Sequence, residues 1–218
     1  MLRLRILEVR QRPHFPKRAR SEKPVADRVM RDERGSSLLE FAITLPLLVV
    51  FTVGIYDFSA AFGQKQKIAQ AAQEGAIVAG AQPMSDMQTG TGNPASLQPV
   101  VTAVFNSLAG SAVLPNAGTS CTQPFPAPTR PTPPPPPGLT WTYTISGCSS
   151  AYPSDSLVIT INRGWVATSG SPLSVGTSVR VVYPYHWRFN SVIQLLIPGA
   201  SYAAITQVTG SATVHNQI

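Results

Sequence analysis

Ten acids, three histidines and two cysteines are the groups in these 218 residues that could do chemistry, and their spacing decides which kind. His14, His186 and His215 stand far apart, so no metal-ligand spacing arises. Asp86 and Asp155 are lone loop acids without a matching partner. Gly90, Gly92 and Gly110 lie in ordinary loops rather than in a phosphate-cradling turn, and no elbow motif singles out a nucleophilic serine. These features point away from an enzyme: no catalytic residue, cofactor, metal or small-molecule substrate is expected. Cys121 and Cys148 are another matter. In an oxidising compartment they could pair and close a loop of about 28 residues, for roughly 3–4 kcal/mol in the chain-entropy model. Glu40 is the group that asks for explanation. It sits one turn inside an apolar run, where a carboxylate is costly and by default functional.

The element that positions Glu40 is a long apolar helix. From Phe41 to Tyr56 there is no charged side chain, and Ser36 to Phe62 contains only Glu40 and Asp57. A helix of about 27 residues at ~1.5 Å per residue is long enough to cross a hydrocarbon core. Leu, Val, Ile and Phe fill every face, so its natural solvent is lipid or the inside of a helical assembly rather than water. Pro46 lies within it and should kink or loosen it locally, while Gly54 leaves room for a neighbouring helix. Beyond Gln64 the pattern becomes amphipathic. Ile68, Ala71, Ala72, Gly75, Ala76 and Ala79 follow 3,4 spacing, predicting one helix from about 37 to 81. Its small-residue stripe would let a sheet or another helix pack closely, and Gln82-Pro83 ends it.

Charge divides the chain. Residues 1–35 hold eleven Lys/Arg against five acids, a net +6 of the total +7, so everything after them carries only +1. The basic character belongs to a leader, not to a folded domain, and nucleic acid is not an expected partner. A basic flank keeps the near end of a membrane helix in the cytoplasm and sends the C-terminal bulk outside. Pro13, Pro16 and Pro24 break the leader, which reads as disordered. Met1 and Met30 both stand as starts; from Met30 the leader would be six residues long. A secretory signal cleaved near Ala60-Ala61 is the rival targeting reading, although its apolar run is long for such a peptide.

After the helix, Asn93-Pro94 offers a cap for a second amphipathic helix carrying Leu97, Val100, Val101, Val104 and Leu108. Residues 115–138 are proline-rich and should be an extended, semi-rigid loop. Leu139–Ser146 alternates large apolar with Thr or Ser, the clearest strand pattern in the chain. Leu157–Ile161 is a second strand and Val175–Tyr183 a third, ended by Pro184. Ala203–Val214 is a weaker fourth, and residues 191–197 read as a short covering helix. The expected fold is α+β and pilin-like: a long N-terminal helix, transmembrane then amphipathic, on a small antiparallel sheet. The segments are a leader (1–35), a transmembrane helix (36–62), an extracytoplasmic helical region (63–114), the proline-rich loop (115–138) and a β-rich domain (139–218).

Basic leader, Gly35, Ser36-Ser37-Leu38-Leu39, Glu40-Phe41, then an apolar helix resembles a type IV prepilin-type signal. With Ala42, Leu45-Pro46, Gly54-Ile55, Asp57-Phe58 and Ala71-Ala72-Gln73-Glu74-Gly75-Ala76, the stretch resembles the TadE-like family, minor pseudopilins of the tight-adherence (Flp) pilus machinery. The family's second acid is often Glu, where Asp57 stands here, and Gln73 departs from a usually basic segment. The resemblance implies cleavage between Gly35 and Ser36 by a membrane prepilin peptidase. Glu40 and Phe41 would then serve recognition and assembly, Glu40 neutralising the new amine of a neighbouring subunit. Implied partners are the bacterial inner membrane, the peptidase, other pilins or pseudopilins and the assembly platform, with the N-terminus cytoplasmic and the C-terminal domain periplasmic. The alternative is an uncleaved single-pass anchor carrying an extracytoplasmic binding module.

Overall fold

The chain forms one helix, α1 (Glu33–Ala81), that runs through Pro46 and ends at the Gln82-Pro83 stop. The structure is a computed structural model describing residues 33–87, 93–115, 117, 121–122, 125–130, 139–166, 175–189, 194, 199 and 205–216. The leader up to residue 32, residues 131–138 of the proline-rich loop and most of the expected helix at 191–197 lie outside the described residues. The chain divides into one unit ending at Leu47 and a second running from Leu48 to Ile218. The first contains the start of α1, whose described side chains are almost all exposed.

In the second unit, α1 is followed by two single 3₁₀ turns, Ser85–Met87 and Ala95–Leu97, and by α2 (Gln98–Gly110). Pro99 falls in the first turn of α2, where a missing N–H costs no intrahelical bond. Asn93-Pro94 is not the cap of this helix. The Asn93 amide oxygen accepts instead from the Tyr143 hydroxyl at 2.7 Å. The entry to α2 is held by Asp86, whose carboxylate accepts from Ser96 N at 2.8 Å and Ser96 Oγ at 2.9 Å. A negative charge there also suits the amino end of a helix.

Four strands follow as a meander in the order β1-β2-β3-β4, all antiparallel: β1 (Thr140–Ser146), β2 (Ser156–Val166), β3 (Val175–His186) and β4 (Ile205–His215). The α+β arrangement expected from the pattern is the one observed. β3 does not stop at Pro184; it continues to His186. Its pairing with β2 ends at Val158↔Val182, whereas pairing with β4 continues through Pro184↔Gln207. Past Val182, β3 therefore has a neighbour on one side only, and an edge tolerates proline. β2 also outruns its expected end, because a register shift between Asn162 and Trp165 lets it carry on past Arg163.

Alternation puts Trp141, Tyr143 and Ile145 of β1, Leu157, Ile159 and Ile161 of β2, and Val179, Val181 and Tyr183 of β3 on one face. They form one core with Ile68, Ala71, Ala72, Ala76 and Ala79 of α1 and Val100, Val101, Val104 and Leu108 of α2. Small residues set how near α1 comes. A Cβ on Gly210 of β4 would lie 2.7 Å from the backbone nitrogen of Ala69, and one on Gly80 would lie 2.8 Å from Val214. A Cβ on Gly75 would collide with Val104. Cys121 and Cys148 are joined in a disulfide, and both are buried. Outside β1, Thr129 exchanges both backbone hydrogen bonds with Thr142 at 2.8 Å, closing part of that edge. Arg130 lies 5.2 Å from the Trp141 ring centre, within cation–π range.

The glycine contacts make a paired test. Gly75→Leu in the full chain in detergent should lose about 1–3 kcal/mol or more through overpacking against Val104. Gly63→Ala, where an added Cβ meets nothing within 4 Å, should be neutral or slightly stabilising in the same thermal unfolding measurement.

Candidate functional site

Two acids on α1, Glu40 and Asp57, meet opposite surroundings. Leu38, Leu39, Phe41, Ile43, Leu47, Leu48, Phe51 and Ile55 are all exposed, so the apolar stretch around Glu40 is uncovered on every side. Its most apolar window has a mean hydropathy of 2.3 with none of it buried, and α1 is long and apolar enough to cross a membrane. A core helix of a soluble fold would have this window packed away. Gly35, Ser36, Glu40 and Phe41 all lie on the uncovered part, and no hydrogen bond reaches Glu40 among the described residues. Pro46 leaves the helix continuous; downstream, the Thr52 hydroxyl bonds back to the Leu48 carbonyl at 2.8 Å.

Asp57 is where exposure ends. It is 1% exposed, and both carboxylate oxygens are engaged: Oδ1 accepts from the Tyr185 hydroxyl at 2.5 Å and Oδ2 from Phe189 N at 2.8 Å. The Tyr185 hydroxyl also lies 3.1 Å from the Asp57 carbonyl oxygen. An ionised acceptor with two well-placed donors forms the stronger class of hydrogen bond. Burial, then the bond to Asp57 and its charge, push the Tyr185 hydroxyl pKa well up, with Arg188 acting against them. Trp187 packs edge-on against both Tyr185 and Phe58 at 5.1 Å, and its indole N–H donates to Thr206 Oγ1 at 2.7 Å. The last turn of β3 and the residues after it therefore clasp α1 at the end of its apolar run.

The far end of α1 has a clasp of its own. Arg163 of β2 is fully buried and donates to the carbonyls of Ala79, of Gln82 at 2.7 Å and of Pro83 at 3.4 Å. No basic residue lies in the last turn of α1, so a strand supplies the cation that its unpaired carbonyls favour. Burial lowers the Arg163 pKa and Asp86 opposes that shift. The loop acids have partners too, contrary to their reading as lone groups: Asp155 Oδ2 lies 2.7 Å from His186 Nε2, and Asp86 holds Ser96. His186 stacks flat on Tyr152, ring centres 3.4 Å apart.

Sequence reasoning passed over Arg163 and Tyr185 although a signal existed. Arg163 follows Leu157, Ile159 and Ile161 in the inward register of β2, which aims a guanidinium at the core. Asp57 is the only acid between Glu40 and Glu74, yet nothing local points to donors more than a hundred residues away.

Residues 35–76 match the family model of TadE-like proteins. The match begins at the glycine of the expected cleavage site and includes Glu40, Pro46, Asp57 and Gly75. No curated protein and no solved structure matches the chain.

Asp57→Asn should cost about 1.5–3 kcal/mol, because an amide cannot accept from both donors and turns its own N–H toward one. A second test uses pH. Tyr185 has its pKa raised, and burial raises that of Tyr143 to about 12. Both fold as neutral phenols, so stability is full below about pH 10, the unfolded value, and falls as pH climbs toward the folded values. Tyr185→Phe should make that alkaline fall shallower in pH-dependent thermal unfolding.

Proposed function

We propose that the chain is a TadE-like pseudopilin that takes part in assembly of a tight-adherence (Flp) pilus or a related secretion filament, acting by packing of its apolar helix. The observation carrying this is an uncovered apolar helix that matches the TadE-like model and holds a carboxylate five residues after Gly35. A prepilin peptidase would cut between Gly35 and Ser36, and the leader would stay behind. The step exposes a new ammonium at Ser36 at the edge of the hydrocarbon zone, where a lone charge is expensive. Glu40 of an adjacent subunit can neutralise it, and two buried charges together cost far less than either left alone. Phe41 and the residues beyond it supply the side-by-side apolar contact. The role is structural rather than catalytic.

Orientation follows from charge. The +6 leader favours the cytoplasmic side and leaves the sheet domain in the periplasm, where a disulfide between Cys121 and Cys148 is stable. The membrane would be the bacterial inner membrane, crossed once. Partners would be the peptidase, other pilin-like subunits and the assembly platform.

N-terminal mass analysis of the membrane-associated protein, with and without its cognate prepilin peptidase, tests the reading. A mature chain beginning at Ser36 is expected only with active peptidase. A chain that keeps Arg34-Gly35 beside an active peptidase would sink it and favour an uncleaved anchor bearing a periplasmic binding module. Glu40→Ala should leave cleavage and thermal stability unchanged, because the Glu40 side chain has no hydrogen-bond partner among the described residues, while crosslinking to other pilin-like subunits drops at least severalfold.

A further inference from the structure

Just past its apolar run, α1 is flanked by two hollows, each lined by a cation and an aromatic ring. A hollow of about 360 Å³ is lined by Ala61, Lys65, Trp187 and Thr206. The other, about 670 Å³, is lined by Tyr56, Lys67, Tyr152 and Arg188. Lys65 and Arg188 are exposed and pair with no carboxylate among the described residues. The two acids nearby are already engaged, Asp57 by Tyr185 and Phe189, Asp155 by His186. Lys67 is aimed by its bond to the Ser111 carbonyl at 2.8 Å. Tyr56, Phe58 and Phe62 present exposed rings around the same turns, and Phe58 touches Trp187.

The Asp57 clasp decides the depth at which this collar sits. Ser36 to Tyr56 is about 21 residues, ~31 Å of helix, which matches a hydrocarbon core. The helix thus reaches headgroup level at Tyr56, one residue before the clasp, so no spacer separates the span from the sheet domain. Aromatic rings beside exposed cations are what the headgroup zone selects, and lysine and arginine there attract anionic lipid. We propose that Lys65, Arg188 and Trp187 form a binding collar for anionic phospholipid headgroups, seating the β3 end of the sheet domain directly on the bilayer. The lipid phosphate accepts from the two unpaired cations, and the rings occupy the glycerol level. The proposal rests on α1 spanning the membrane but not on cleavage at Gly35 or on pilus assembly.

The test uses the full chain in phosphatidylcholine vesicles containing a trace of phospholipid spin-labelled near the headgroup. Part of the tryptophan emission should be quenched, and that part should vanish in Trp187→Phe, since Trp141 is buried and Trp165 lies toward the opposite end of β3. Spin-labelled phosphatidylglycerol should quench more than spin-labelled phosphatidylcholine, and Lys65→Ser with Arg188→Ser should bring the ratio down to one. Both changes lie at exposed positions, so folding is expected to survive. Incorporated chain whose Trp187 escapes the shallow label overturns the collar alone and leaves that surface to a protein partner. Equal quenching by the two lipids removes the anionic preference and overturns the lipid assignment. Failure to incorporate at all overturns the membrane-spanning reading, and the collar with it.

Discussion

A single helix has to satisfy two solvents, and the clasp on Asp57 marks where one gives way to the other. Between Phe41 and Tyr56 no charged side chain asks for a partner, and a helix satisfies its own backbone. C-terminal to the clasp, a sheet covers one side of the helix. Asp57 cannot belong to either environment unpaired. Burial at 1% exposure is affordable only because a phenol and a backbone amide from beyond β3 are both aimed at it. The cluster of Tyr185, Trp187 and Phe58 rings then encloses those bonds in a low-dielectric setting that strengthens them.

The rest of the helix–sheet contact depends on what is missing from the side chains. Gly75, Gly80 and Gly210 let α1, α2, β3 and β4 approach to distances a Cβ would forbid, and the alanines of α1 extend the same contact. Such closeness is specified by shape more than by hydrophobic area, so it fixes both the rotation and the height of α1 on the sheet. Arg163 adds a polar stop at the far end. Its guanidinium reaches three carbonyls at the point where the helix runs out, so the two charged clasps, Asp57 and Arg163, hold α1 near either end of its packed half.

Period and polarity carried most of the architecture. The 3,4 spacing of Ile68 to Ala79 predicts the packed face of α1, and the alternation in Leu139–Ser146 predicts β1 to within one residue. What sequence pattern could not convey were events depending on partners far along the chain. Proline at 184 reads locally as a stop, yet β3 continues because its β2 neighbour has already ended. Asn93-Pro94 reads as a helix cap, yet the amide is taken by Tyr143 fifty residues on, and Asp86 instead holds Ser96 in the turn before α2. The acids Asp86 and Asp155 look solitary for the same reason: Ser96 and His186 come to them only through the fold. At the site itself, Glu40 was legible because its oddity is local, an acid in an apolar run. Asp57 was not, since its donors lie about 130 residues away.

These two acids define each other. Asp57 is satisfied within its own chain, so it needs nothing from a neighbour and serves to join the helix to the sheet. Glu40 is seventeen residues earlier on a stretch of the helix whose side chains are exposed, and no donor reaches its carboxylate among the described residues. In water such a carboxylate would be unremarkable, but the residues around it exclude water from any environment they would choose. In the proposed assembly its partner would arrive with whatever packs against those apolar faces. Under the proposed assembly, a cation presented at the same depth by an identical or related helix would meet that demand with the least buried charge, and the amine that cleavage would create at Ser36, four residues upstream, would sit about one turn from it. The helix that is long and apolar enough to cross a membrane thus also carries a carboxylate with no partner among the described residues, and in an apolar setting such a group would favour assembly.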